Sequence, residues 1–217
     1  MAISGYYAQR VARRLQQAEF QELIAQGWSI VPKERIFDHQ FKVPDHLLTQ
    51  TSMDPTTDYI ATKAGPDRMI IMIKRTWTGR IGRHPPSDDV IEFYLQLHGY
   101  LPGYIRVVPM NTSNIWNLCR SFITTDEKME SDEFNRQSWL LAEPDNLSYQ
   151  VFSPNLMSRW LDLGSERPLL HVEGEVLAVI YSLKPGQPPL NFLQYQTSAW
   201  AWAESVERSG ALEKLPT

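Results

Sequence analysis

Asp58-Tyr-Ile-Ala-Thr-Lys63, Ala64-Gly-Pro-Asp67 and Arg68-Met-Ile-Ile-Met-Ile-Lys-Arg-Thr76 form the stretch that decides the fold. The outer segments are strand-like in composition, and the middle one carries a Gly-Pro-Asp turn at hairpin length. The spacing therefore predicts two adjacent antiparallel strands. Ahead of them, Tyr7, Val11, Leu15 and Ala18 fall on one helical stripe, continued by Phe20, Leu23 and Ile24. This predicts a helix from about Tyr6 to Gln26. Gly27 is its stop signal, Trp28 to Val31 reads as a strand, and Phe37 to Gln50 as an irregular connection.

Beyond the hairpin, Ser87 follows Pro85-Pro86 and is placed to cap a helix whose apolar positions are Val90, Ile91, Tyr94, Leu97 and Leu101. Tyr104 to Val108 then reads as a strand. Asp126, Glu127, Glu130, Asp132 and Glu133 crowd a stretch without apolar periodicity, which predicts an exposed loop and marks the best candidate for a boundary. Ser138 to Ala142, Tyr149 to Phe152 and Leu169 to Tyr181 read as further strands. A closing helix from Leu190 to about Arg208 presents Phe192, Tyr195, Ala199, Trp202 and Val206. The element order predicts an α/β fold with a mixed central sheet flanked by helices. Residues 1–125 form its core, and residues 126–217 a β-rich extension with a closing helix, packed on the same domain.

Composition sets the outer limits. The chain has 217 residues, 42% of them hydrophobic and 21% charged, which excludes a disordered or collagen-like chain. With a single cysteine, Cys119, there is no intrachain disulfide and no cysteine-rich zinc cluster, so a reducing, cytoplasmic location is the expectation. No run approaches the roughly 20 apolar residues of a membrane span, and Arg10, Arg13 and Arg14 interrupt any secretion signal. The net charge of −4 argues against indiscriminate coating of nucleic acid. Locally the balance reverses: Lys63, Arg68, Lys74, Arg75, Arg80 and Arg83 face the single acid Asp67 across residues 63–83.

Around that basic window a constellation with chemical potential stands out. Asp58 begins the first hairpin strand and Lys74 lies near the end of the second. Gln96 and Tyr100 lie at i and i+4 of the expected helix. A carboxylate and a lysine at adjacent strand ends can share a cleft, the first holding a divalent cation and the second orienting an attacking water. A Gln-x-x-x-Tyr pair one helical turn apart can lie over that cleft.

These residues resemble the PD-(D/E)xK nuclease superfamily, especially its RecB-like branch, over roughly residues 6–110. The resemblance implies a restriction-endonuclease-like core and magnesium-dependent phosphodiester hydrolysis. It places Asp58 at the first metal-binding aspartate, Lys74 at the family lysine, and Gln96 with Tyr100 at the trailing pair. The chain departs from the pattern at Met72, where the family has an acid and where a thioether cannot hold magnesium. Glu92, one turn before Gln96, is the position from which the missing carboxylate can be supplied, and Glu19 or Glu22 can add another ligand. Metal binding thus falls to Asp58 and Glu92, and backbone phosphates to Lys63, Arg68, Arg75, Arg80 and Arg83.

Plainer readings fit the same residues. Asp58 can cap a turn, Lys74 can snorkel from a strand end, Met72 can fill a core, and the basic window can be a solvated face. Asp38-His39 with Asp45-His46 can supply metal ligands or form a polar loop. Neither a Gly-x-Ser-x-Gly elbow nor a phosphate-binding loop is present. The alternative function is a non-catalytic structural or protein-interaction protein with a decayed nuclease-like site. It would meet protein partners or a second copy through the tryptophans of the second half, Trp139, Trp160, Trp200 and Trp202. A small-molecule module would instead need an apolar cleft.

Overall fold

The computed structural model describes residues 17–31, 56–65, 68–78, 87–110, 128–183 and 192–214. Helix α1 covers 17–25 and ends as its glycine predicts. Gly27 adopts φ +82°, Gly27 N–H donates to Ile24 O at 2.9 Å and Trp28 N–H to Leu23 O at 2.9 Å. This is the Schellman closure, with Trp28 and Leu23 in one buried cluster as its apolar contact. The part of the expected helix before residue 17 lies outside the described residues, as do Phe37 to Gln50, Cys119, His39, His46 and His84.

Among the described residues six strands form one sheet: β1 (Ser29–Val31), β2 (Thr56–Ala64), β3 (Met69–Thr78), β4 (Ser87–Pro109), β5 (Ser138–Glu143) and β6 (Leu169–Leu183). The hairpin stands as read, with β2 on β3 in antiparallel register from Ala64↔Met69 to Thr56↔Thr76. Strands from both sides of residue 126 belong to this sheet, since β5 and β6 pair with β4.

The helix expected over residues 87–101 is instead the first part of β4, a strand of 23 residues. Ser87 starts that strand, and no helix begins there. Residues 89–95 pair with β3 on one edge and β6 on the other, and clusters on both faces of the sheet bury the side chains that alternate along the strand. Val90 through Leu95 are all buried. A doubly buried strand shows no alternation of apolar and polar residues, and its apolar run fits a helical period equally well. The same exchange corrects the sheet type. A parallel neighbour needs a crossover connection. With β4 where the crossover helix was expected, every described strand pair is antiparallel rather than mixed.

Two smaller corrections follow from local chemistry. The acidic stretch becomes helical at α2 (Asp132–Gln137), where Ser131 accepts from Phe134 N–H and Asp132 and Glu133 sit in the first turn near the positive end of the peptide dipoles. Tyr149 to Phe152 is no strand but the end of α3 (Leu147–Val151) and its cap, because buried Leu147, Ser148 and Val151 recur at helical spacing. Helix α4 (Pro154–Asp162) follows, with Ser153 as cap and Pro154 in the first turn.

The described helices cover one face of the sheet. Leu23 from α1, Phe134 from α2, Trp160 from α4 and Trp202 from α5 (Phe192–Arg208) join Ile70, Met72, Ile91, Phe93 and Leu177 in one buried cluster. Buried Ala199, Trp202, Ala203 and Val206 give α5 its apolar stripe at positions i, i+3, i+4 and i+7. The second face carries separate clusters around Ile71, Ile73 and Tyr94, and around Val108, Trp139 and Leu169. No helix among the described residues is long and apolar enough to cross a membrane.

Two predictions follow from this packing. Gly103 adopts φ +143°, and a Cβ there would collide with the Glu143 carbonyl oxygen on β5. Gly103→Ala is expected to cost at least about 1–3 kcal/mol, read as a shifted urea midpoint at unchanged slope. Between β6 and α5, Tyr181 donates to Ser198 Oγ at 2.8 Å. Burial pushes its phenol up from 10.0 to about 12, with the Ser198 bond opposing. The phenol is neutral in both folded and unfolded chains at neutral pH, so its contribution is intact below the unfolded value. As pH rises through that window the unfolded chain ionises first and stability falls, by about 2–3 kcal/mol in all. Tyr181→Phe should therefore lose less stability than wild type in alkaline urea titrations, and equal losses would refute the shielding.

Candidate functional site

Side chains alternate across a strand, and this decides where the expected constellation lies. On β3, Lys74 shares its face with Ile70 and Met72, which belong to the helix-covered cluster. On β4, Glu92 shares its face with Tyr94, which belongs to the second-face cluster. The register agrees, since Lys74 stands opposite Ile91 while Glu92 stands opposite Ile73. Lys74 and Glu92 therefore occupy opposite faces of the sheet.

Each is also engaged locally. Lys74, 9% exposed, donates from Nζ to Glu19 Oε1 at 2.8 Å and Oε2 at 3.0 Å, fastening α1 to the middle of β3. Glu19, an expected supplementary metal ligand, is thus the lysine's counter-ion. Glu22 accepts from Gln26 Nε2 at 3.2 Å on the same helix. Glu92, 1% exposed, accepts from Tyr94 Oη at 2.8 Å. Burial of a carboxylate is costly unless hydrogen-bonded, and Tyr94 provides such a bond within the sheet.

Asp58 lies in β2 at the register shift between Thr57 and Tyr59, and its side chain is outside the described residues. Gln96 is half-buried and opposite Val176, whereas Tyr100 is 43% exposed and pairs through its backbone with Glu213. Residues four apart on a helix are neighbours, but an extended strand separates them by roughly 3.3 Å per residue. A register shift in β4 lies between them as well. The expected one-turn pair does not form. Among the described residues no group of three or more His, Cys, Asp or Glu side chains is placed to hold a metal ion.

The basic window is likewise divided. Lys63 Nζ lies 5.9 Å from the centroid of the Trp28 ring. Arg68, 7% exposed, makes a bidentate pair with Glu207 on α5, Nη1 to Oε1 at 3.0 Å and Nη2 to Oε2 at 2.8 Å. Its guanidinium stacks over Trp200, 5.2 Å from the ring centroid. His98 N–H donates to the same Glu207 at 2.9 Å. Arg75 lies in β3 opposite Val90 with its side chain outside the described residues, where Arg80 and Arg83 also fall.

The aromatic second half is largely internal. Trp160 and Trp202 are fully buried and Trp139 nearly so, while Trp200 lies over the backbone at Gly65. Two residues apart on α5, Trp200 and Trp202 point about 200° apart around the helix, the first towards Gly65 and the second into the core. The Lys74–Glu19 and Arg68–Glu207 pairs were missed by sequence reasoning. Each joins residues more than 50 positions apart, and nothing in local spacing announces such a contact.

No protein-family model matches the chain, and no curated protein matches its sequence. Among solved structures the chain is similar to the crystal structure of the mycobacterial trehalose monomycolate transport factor A, TtfA, with a TM-score of 0.53. The identity is 6%, over 94% of this chain and 99% of that one, so the likeness is one of fold alone.

Proposed function

We propose that this chain is a non-catalytic structural or protein-interaction protein. The carrying observation is the separation of Lys74 and Glu92 on opposite faces of the sheet. A metal-dependent hydrolase needs its carboxylates and its water-orienting lysine to converge on one reacting phosphate. A backbone layer between two of them prevents that convergence without a rearrangement of β3 and β4.

The engagement of Lys74 supports the same reading. A lysine clasped by both oxygens of Glu19 is a structural fastener between helix and sheet, at a depth where losing one partner is costly. Arg68 plays the corresponding part between the hairpin and α5. The nuclease reading remains as the outcome that would displace this one.

Two measurements test the proposal. Wild type incubated with magnesium or manganese and labelled single- and double-stranded DNA and RNA should give no cleavage. Metal-dependent cleavage that disappears in Lys74→Ala, with the fold retained by circular dichroism, would overturn the reading. Glu19→Gln should lower stability by about 1–3 kcal/mol in urea titrations, because it leaves a buried ammonium facing a neutral amide. An unchanged midpoint would remove the structural role assigned to Lys74.

A further inference from the structure

A second group of titratable side chains lies at the other end of the second face. The β4–β6 register sets Arg106 opposite His171 and Tyr104 opposite Glu173. His171 is 1% exposed, and the Tyr104 ring stacks on it with centroids 6.1 Å apart and planes 9° from parallel. Arg106 Nε lies 2.9 Å from His171 Nδ1, and His171 Nε2 lies 3.1 Å from Glu173 Oε2.

This geometry fixes the tautomer. A guanidinium has donors and no acceptor, so Nδ1 must present its lone pair to Arg106. The ring proton of neutral His171 then sits on Nε2, where it donates to Glu173. Among the described residues, the groups facing the ring include the Arg106 cation and the Tyr104 phenol on β4 and the Glu173 anion on β6. Strand β5 adds apolar Leu141 opposite Arg106 and exposed Glu143 opposite Tyr104.

We infer that His171 is a pH-responsive pin, fastening the first half of β6 to the second half of β4 while neutral and releasing them when protonated. A second proton, taken from solvent, has Nδ1 as its sole ring position. Its arrival displaces the Arg106 donor and sets imidazolium against guanidinium in a buried place. Glu173, whose side chain is 32% exposed, already accepts from Nε2 and offsets part of that repulsion. The strands bear the consequence because the bonded side chains are cross-strand partners.

The sign follows from linkage. The unfolded chain takes up the proton that the folded site resists, so stability falls as pH drops through the histidine range. His171→Gln is the matched control, since its amide can accept from Arg106 and donate to Glu173 without titrating. Hydrogen exchange of the full chain, corrected for intrinsic rates, would be followed from about pH 8 to about pH 5 in both proteins. Wild type should lose protection selectively in 101–109 and 169–174, with a fall in Tm larger than that of the variant. Equal losses in the two proteins would overturn the inference. Should the variant fail to fold, nitrogen NMR of wild type decides. An unprotonated Nδ1 at neutral pH whose protonation coincides with faster exchange in those segments supports the pin. A protonated Nδ1 at neutral pH, or titration without such exchange, refutes it.

Discussion

Backbone pairing along β4 is the constraint on which the rest of the structure depends. Residues 89–95 are bonded to β3 on one edge and β6 on the other, and residues 104–107 to β5 and β6. A strand held on both edges has no freedom of register, because a slip of one residue would exchange its two faces. The halves meet at a double register shift between Gln96 and Tyr104. There the chain's last described segment is drawn in, with Tyr100 and Glu213 exchanging backbone bonds at 2.9 and 2.8 Å. Glu207 on α5 closes the same region by holding Arg68 and the amide of His98.

Fixed register turns the two-residue period of a strand into a statement about chemistry. Position 74 belongs to the helix-covered face and position 92 to the other, whatever their side chains. At position 74 the side chain on the first face meets α1, and Glu19 supplies the carboxylate that a buried ammonium requires. One on the second face meets neighbours from its own and adjacent strands, and Tyr94 supplies the donor that a buried carboxylate requires. Met72 needs no account as a lost ligand: it is fully buried beside Ile70 in the main core, where an apolar side chain is what the position demands.

Much of the fold was legible in the sequence, and the exceptions share a cause. The β2–β3 hairpin, β5, β6, α5 and the stop at Gly27 each carry their signal within a dozen or so residues: a turn, a β-rich run, an apolar stripe or a glycine. Strand β4 was misread because its signal is defined by neighbours on both sides, and a run such as Val90-Ile-Glu-Phe-Tyr-Leu95 lacks the alternation that marks a half-buried strand. Helix α3 is five residues long, too short for a period to declare itself. For the candidate site, the residue types were legible and their faces were not, since face follows from register and register from pairing with distant strands. Glu19 and Glu207 show the same limit, being remote in sequence from the cations that they neutralise.

The basic window shows why local charge in a sequence is a poor guide to a charged surface. Of its six cations, Lys63, Arg68 and Lys74 have described side chains, and each is committed within the fold. Lys63 lies over Trp28, Arg68 is bound to Glu207 and stacked on Trp200, and Lys74 is bound to Glu19. Arg106 does likewise with His171 on the second face. Cations used in this way sit at the junctions where helices or neighbouring strands meet the sheet. Their long apolar stems pack on the core while their heads reach a carboxylate or a ring from another element. Such contacts add little to the hydrophobic driving force of folding, but a buried charge tolerates few partners and few positions. Misplacing α1 or α5 by one turn would strand Lys74 or Arg68 without its carboxylate, so these charges select one arrangement of helix on sheet among several that the apolar surfaces alone would accept.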